Sequence, residues 1–263
     1  DEVQKAPHLL SYIQVLVDEA NQKGMFILTG SHRADASQSL AGRTSLLRLL
    51  PLSMEEIGSG KRCESLNDII LKGGYPRIYV EDLPLGNAYS SYVQTYVEKD
   101  VRQLLQVKDI IQFERCIKLL AGRVGQLSNY ASIAADVGVS AVTIKEWIAV
   151  LEATYIIVRL EPYFENFGKR LIKSPKIYFT DTGLLCHLFL FYSAPQLRKD
   201  ALYGSIFENW VVIELMKSRY NRALDPTLFF YRDVVGKEVD LIFQRGSCLI
   251  PIEIKSGTTF TPS

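Results

Sequence analysis

Three stretches in the last third of the chain hold residues whose types and spacing suit phosphate chemistry. Glu208 lies in Gly204-Ser205-Ile206-Phe207-Glu208-Asn209-Trp210, Asp240 in Gly236-Lys237-Glu238-Val239-Asp240-Leu241, and Glu253 and Lys255 in Glu253-Ile254-Lys255. Alternate side chains of a strand share a face, which puts Glu253 beside Lys255 and turns Ile252 and Ile254 away. Asp240 falls on the preceding strand, in the position of a hairpin partner. Two carboxylates on neighbouring strands suit a hard cation such as Mg²⁺. The ion would polarise a phosphoryl oxygen and acidify a bound water. Lys255 would orient that water or neutralise developing charge, and Glu208, from a helix beside the sheet, would add a third ligand. Taken alone, Glu-x-Lys reads as a surface ion pair on an exposed strand. Glu214 and Glu238 are competing carboxylates that read as solvated or supporting.

The elements that must position this set follow from the apolar pattern. Two helices are expected from Asp181 onward, one directly after it and one over 205–220, then strands at 228–231, 238–244 and 248–254. Upstream, 7–20 has helical spacing, 25–31 reads as a short buried strand, and 46–50 is a second apolar run closed by Pro51. Together these suggest the edge of an α/β sheet. Residues 83–123 are expected to be largely helical, with Tyr92, Val93, Tyr96, Val97, Leu104 and Leu105 as one stripe. Then comes a helix over 132–137, the Gly138 turn, and a Ser140 cap opening a helix over 141–153. Strands at 155–160 and 176–179 around the basic loop 168–173 complete a winged helix-turn-helix outline. Thr143 and Lys145, with Glu146, would open its recognition helix, and Lys169, Arg170 and Lys173 would meet phosphates from the wing. A packing or protein-interaction module is the alternative for this unit.

Bulk properties fit an ordinary globular protein: 263 residues, 22% charged, net charge +1. That charge points neither to nor away from nucleic acid, since a local basic face is compatible with it. Cys63, Cys116, Cys186 and Cys248 form no C-x-x-C pair, which argues against a zinc knuckle or a disulfide framework and suits a reducing cytoplasm. No apolar run reaches membrane-spanning length and no leader opens the chain. His8, His32 and His187 are isolated and read as surface or capping residues; Asp181 reads as a helix cap, and Gly73-Gly74-Tyr75-Pro76 as a tight turn.

Taken together, these pieces resemble the AAA-type ATPases of bacteria and archaea that carry a C-terminal PD-(D/E)XK nuclease-like domain of unassigned function. The likeness runs through Asp1-Glu2-Val3-Gln4, Leu28-Thr29-Gly30-Ser31, Ser39-Leu40-Ala41-Gly42-Arg43, Gly73-Gly74-Tyr75-Pro76, Asp181-Thr182-Gly183-Leu184 and the three carboxylate segments. It implies that Asp1 and Glu2 end a Walker B strand, Asp1 holding Mg²⁺ through water and Glu2 activating the attacking water. It makes Ser31 a γ-phosphate sensor and Arg43 a sensor or trans-acting arginine. The plainer readings are a helix N-terminal acidic pair and a solvated arginine. No G-x-x-x-x-G-K-[ST] occurs; around Gly58-Ser59-Gly60-Lys61, Glu55 and Arg62 stand where glycine and a hydroxyl residue belong. ATP is therefore expected only for a longer parent protein.

The expected fold class is mixed α/β and multidomain: the C-terminal part of an AAA-type ATPase domain at 1–60, a helical connector at 61–112, a winged helix-turn-helix at 113–175, and a PD-(D/E)XK nuclease-like domain at 176–263, cut short soon after Lys255. The expected function is ATP binding and hydrolysis in the parent, coupled to a cytoplasmic C-terminal region that binds or processes DNA with Mg²⁺. A homo-oligomer or a protein partner is compatible with this. The alternative is a non-catalytic protein- or DNA-interaction module with a degenerate nuclease fold.

Overall fold

A computed structural model describes residues 3–20, 22–30, 40–58, 65–81, 83–97, 110–164 and 174–257. Asp1, Glu2, Ser31, Lys169, Arg170 and Lys173 lie outside the described residues. The chain mixes helices with two small antiparallel sheets, so the mixed α/β class holds. No described helix is long and apolar enough to cross a membrane.

The first part holds helix α1 (Leu9–Ala20) and the short α2 (Met54–Gly58). The two apolar runs expected as buried strands are not strands. Residues 25–30 and 44–50 are irregular, and Ile27 and Leu49 are 89% and 87% exposed. A strand is completed by a hydrogen-bonded neighbour, whatever its own propensity. Among the described residues no strand lies beside these runs; Val3 N–H donates to Thr29 O at 3.0 Å, and no ladder follows.

Next come α3 (Leu66–Lys72), α4 (Pro76–Glu81) and α5 (Leu85–Tyr92), the last running into a π-helical turn at Val93–Val97. Three further helices follow: α6 (Ile110–Gly122), α7 (Tyr130–Val137) and α8 (Ala141–Ala153). Asn129 caps α7 by accepting from Ser132 N–H, Gly138 ends it in the left-handed region at φ +86°, and Ser140 caps α8. The turn and cap fall where the residue types place them. Phe113, Ile133, Ile144, Ile148 and Leu151 fill the space between these helices, with Trp147 edge-on to Phe113. Strands β1 (Ile157–Leu160) and β2 (Lys176–Phe179) then pair antiparallel, Ile157 opposite Phe179 and Leu160 opposite Lys176.

The last part contains α9 (Thr182–Leu188), α10 (Ala194–Lys199) and the long α11 (Tyr203–Tyr220), then the meander β3 (Leu228–Arg232), β4 (Glu238–Arg245), β5 (Cys248–Ile252). β5 stops at Ile252, short of the expected 254, and the reason is local. The Asp240 carboxylate accepts Ile254 N–H at 2.8 Å, so a side chain replaces the backbone partner at the end of the ladder.

One buried carboxylate joins the middle to the last part. Asp181 is fully buried and accepts three hydrogen bonds: from Leu184 N–H (2.7 Å), capping α9, from Gly74 N–H (2.6 Å) and from Tyr89 OH (2.7 Å). A Cβ on Gly73, whose φ is +70°, would collide with Tyr89 OH and the Asp181 carboxylate, and one on Gly183 would collide with Tyr89 OH. Asp181-Thr182-Gly183 and Gly73-Gly74 are thus two halves of one joint. Asp181→Ala leaves the Gly74 and Leu184 N–H groups without their acceptor, while Tyr89 OH keeps Lys72 O at 2.7 Å, and urea unfolding should show a loss of about 3–5 kcal/mol. A loss below about 1 kcal/mol would show that the joint is dispensable.

Candidate functional site

Helix α11 meets β2 through two consecutive side chains. The amide of the fully buried Asn209 accepts Phe179 N–H (2.7 Å) and donates to Phe179 O (2.9 Å), doing for the strand edge what another strand would do. That clamp fixes the helix on the strand, so Glu208 lands on the face shared by Lys176 and Tyr178. Tyr178 OH donates to Glu208 Oε1 at 2.6 Å and Lys176 Nζ lies 3.5 Å from the same oxygen. The turn before α7 closes over them. Gly125 N–H donates to Ile177 O, Ser128 N–H donates to Pro175 O, and a Cβ on Gly125 would come within 3.1 Å of Glu208 Oε1.

The three-stranded sheet supplies the opposite wall. Glu238 and Asp240 share a face of β4. Lys176 Nζ reaches Glu238 Oε1 at 2.6 Å, and Arg232 of β3 reaches Glu238 Oε2 at 3.0 Å. Just past β5, Lys255 Nζ pairs with Glu253 Oε1 at 2.5 Å, both side chains more than half exposed. These residues border an open cleft-like cavity of about 630 Å³. Glu208, Asp240, Glu253 and Lys255, which are scattered through 48 residues of sequence, all line it, together with Lys176, Ser205, Arg232 and Glu238.

Burial dominates the electrostatics. It raises the Glu208 carboxyl above the usual range against the pull of Lys176 and Tyr178, and Asp240 adds to the rise. Burial, then Glu208, pushes the Tyr178 phenol well above its ordinary value. At the rim, the hydrogen bond to Glu253 raises the Lys255 ammonium.

A three-carboxylate ion cage does not form in this arrangement. Among the described residues no three Asp, Glu, His or Cys side chains are grouped so as to hold one metal ion. The physical reason is that the carboxylates already have donors: Glu208 has Tyr178 and Lys176, Glu238 has Lys176 and Arg232, Asp240 has Ile254 N–H, and Glu253 has Lys255. The residues as placed do not fit a shared Mg²⁺.

Sequence reasoning missed Lys176, Tyr178 and Arg232, and it left Glu238 as merely supporting. No sequence pattern marks them: Lys176 opens Lys176-Ile177-Tyr178-Phe179, a strand that only the tertiary structure buries at all four positions. The remaining candidates lie elsewhere. Lys145 is exposed on α8, while Thr143 is half-buried and tied to Ser140, its N–H donating to Ser140 Oγ at 3.0 Å. Arg43 donates two hydrogen bonds to the Asp18 carboxylate of α1, at 2.6 and 2.9 Å. His187 stacks on Tyr89, and burial lowers its pKa.

Comparison with known proteins divides the chain in three. Residues 1–58 match the model of an AAA domain, residues 63–195 a domain of unknown function (DUF8612), and residues 203–263 another (DUF4143). An uncharacterized protein of Mycobacterium bovis and one of Mycobacterium tuberculosis are each 31% identical over 270 residues, covering 100% of this chain. The chain spans 59% of the length of these relatives. No solved structure matches it significantly. With the AAA-domain match before it and the DUF4143 match behind it, the segment 63–195 makes this chain a member of the DUF8612 family, in an AAA-type ATPase-like setting.

Proposed function

We propose that the parent protein is an ATP-hydrolysing AAA-type ATPase whose C-terminal winged-helix and PD-(D/E)XK nuclease-like region binds DNA, with a backbone phosphate received at the cavity between α11 and β4. The observation that carries this reading is convergence. Glu208, Asp240, Glu253 and Lys255 come from separate segments and border one cavity, beside a helix, glycine turn and capped helix. In this reading 1–60 closes the ATPase domain, 61–112 connects, 113–175 is the winged helix and 176–263 is nuclease-like. The exposed Ile27, Leu46, Leu47 and Leu49 are what the rest of an ATPase sheet would cover. Arg43 then serves the nucleotide from a position held by Asp18.

Lys255 is the group placed to take a phosphate, because its only cost is leaving an exposed partner. Lys145 would contact the backbone from α8, and the wing residues Lys169, Arg170 and Lys173 would add to it. The carboxylates form no ion cage, so the arrangement supports binding and supplies no cleavage step. The same fact favours a second reading, a module that binds DNA or a protein without chemistry.

A gel shift with duplex DNA at low salt, followed by incubation with MgCl₂, separates these readings. Wild type is expected to shift the duplex, and Lys255→Ala and Lys145→Ala each to weaken it by roughly threefold to tenfold. Mg²⁺-dependent cleavage lost in Asp240→Ala would assign processing, and binding without cleavage assigns the non-catalytic module. A folded protein that shifts neither DNA nor RNA ends the nucleic-acid reading.

The ATPase half has its own assay. The full-length protein should release phosphate from ATP, and Glu2→Gln should reduce that by about two orders of magnitude. Residues 1–263 alone, lacking a phosphate-binding loop, should release none. Unchanged turnover in Glu2→Gln would remove Glu2 from the site.

A further inference from the structure

The inner end of the cavity holds a cation of its own. Lys176 opens β2 with its side chain 3% exposed, close to the limit for a charged group in a folded protein. Its ammonium lies 2.6 Å from Glu238 on β4 and 3.5 Å from Glu208 on α11, and 5.4 Å above the centre of the Phe230 ring on β3. Three elements therefore meet at one positive charge. A buried ammonium is costly unless paired and hydrogen-bonded, and this one bridges two carboxylates from different elements. Such a bridge is what a metal ion between Glu208 and Glu238 would otherwise provide.

We propose that Lys176 is the resident cation of this cavity, a positioning residue that holds Glu208 and Glu238 in the role a metal ion would fill. The proposal deepens the reading of the cavity as a phosphate-binding site, yet its test does not depend on DNA. With Glu208 and Glu238 committed to Lys176, the groups left for a ligand are Asp240, Glu253 and Lys255 toward the mouth. Lys176 lies in the segment matching DUF8612, whereas both its partners lie in the segment matching DUF4143. The site is built only where the two segments fold on each other.

Lys176→Met keeps most of the aliphatic stem over Phe230 and removes the charge, so it separates electrostatics from packing. The groups facing the vacated position are Glu208 of α11, Tyr178 of β2, Arg232 of β3, and Glu238 and Asp240 of β4, with Lys255 further out. The Glu208 carboxyl is already raised in the folded state, so its contribution is favourable at low pH and is lost as pH rises through the folded value. Without Lys176 that loss deepens, because an influence lowering the Glu208 pKa is gone.

Thermal unfolding of the whole chain reads this directly. Lys176→Met should lower Tm by roughly 5–10 °C near pH 8 and by less than about half as much near pH 5, the direction in which the Glu208 carboxyl, raised by burial, becomes neutral. Lys176→Arg, which keeps the charge, should retain most of the wild-type Tm and its pH profile. If Lys176→Met does not fold, adding Glu238→Gln should restore part of the loss, because it removes a carboxylate left without its cation. A deficit that is the same at both pH values, or a double variant worse than the single one, would reduce Lys176 to a space-filling residue. Millimolar MgCl₂ should leave the wild-type Tm unchanged. A rise in wild-type Tm with MgCl₂ that disappears in Glu238→Gln would place a metal where the lysine is proposed to act, and overturn the inference. A wild type that fails to bind DNA ends the functional reading above and leaves these outcomes untouched.

Discussion

The structure depends on how one buried strand edge is satisfied. Among the described residues β2 has β1 on one side and only a short bridge from Leu127 on the other, yet all four of its residues are buried. A buried edge without partners would leave backbone donors and acceptors stranded, each at a cost of about 1–3 kcal/mol. Asn209 removes that cost at Phe179 by supplying both an acceptor and a donor from a helix. Because helix and strand are locked there, Glu208 stands one residue away on the face of Lys176 and Tyr178. The cavity is a consequence of that lock, and so is the coupling of the two halves that frame it.

The Asp181 joint works by the same logic just past the same end of β2. A carboxylate with no exposure is tolerable only when its oxygens are filled, and here two backbone N–H groups and a phenol fill them. Two backbones and Tyr89 come so close that glycine is required at 73 and 183. Burial and Asp181 together raise the Tyr89 phenol well above its ordinary value, which keeps it a donor. These motif residues are therefore architectural. Their role is to hold α3 and α5 against α9, the helix that follows directly on the strand carrying Lys176.

Local chemistry made much of this legible in the residues themselves. Gly138 and Ser140 announce a turn and a cap because those types satisfy helix ends, and both do so here. Alternation also placed Glu253 beside Lys255, although a side chain ends the strand before them. The β1–β2 pairing followed from two apolar runs around a loop. Lys176 was not legible, because a lysine at a strand end looks solvated until tertiary packing brings Glu208 and Glu238 to it. Apolar content likewise misled at 25–31 and 46–50. It marks surface that gains from being covered and says nothing of whether a neighbouring strand is there.

The two shortest lysine–glutamate contacts of the cavity, Lys176–Glu238 and Lys255–Glu253, have similar geometry and opposite energetic character. Lys255 and Glu253 are 64% and 51% exposed, so water competes for both charges and their pairing contributes on the order of 0–1 kcal/mol. Lys176 and Glu238 are 3% and 26% exposed, and separating them would leave a charge inside the protein at a cost of roughly 3–5 kcal/mol. In the proposed phosphate-binding reading, a ligand would therefore draw Lys255 from Glu253 with little resistance, while the inner carboxylates stay fixed. Exchange of partners belongs to the mouth and constancy to the floor. Any ion that binds here must do so at the mouth, where Asp240 keeps one oxygen on Ile254 N–H and Glu253 is released only when Lys255 turns to the ligand.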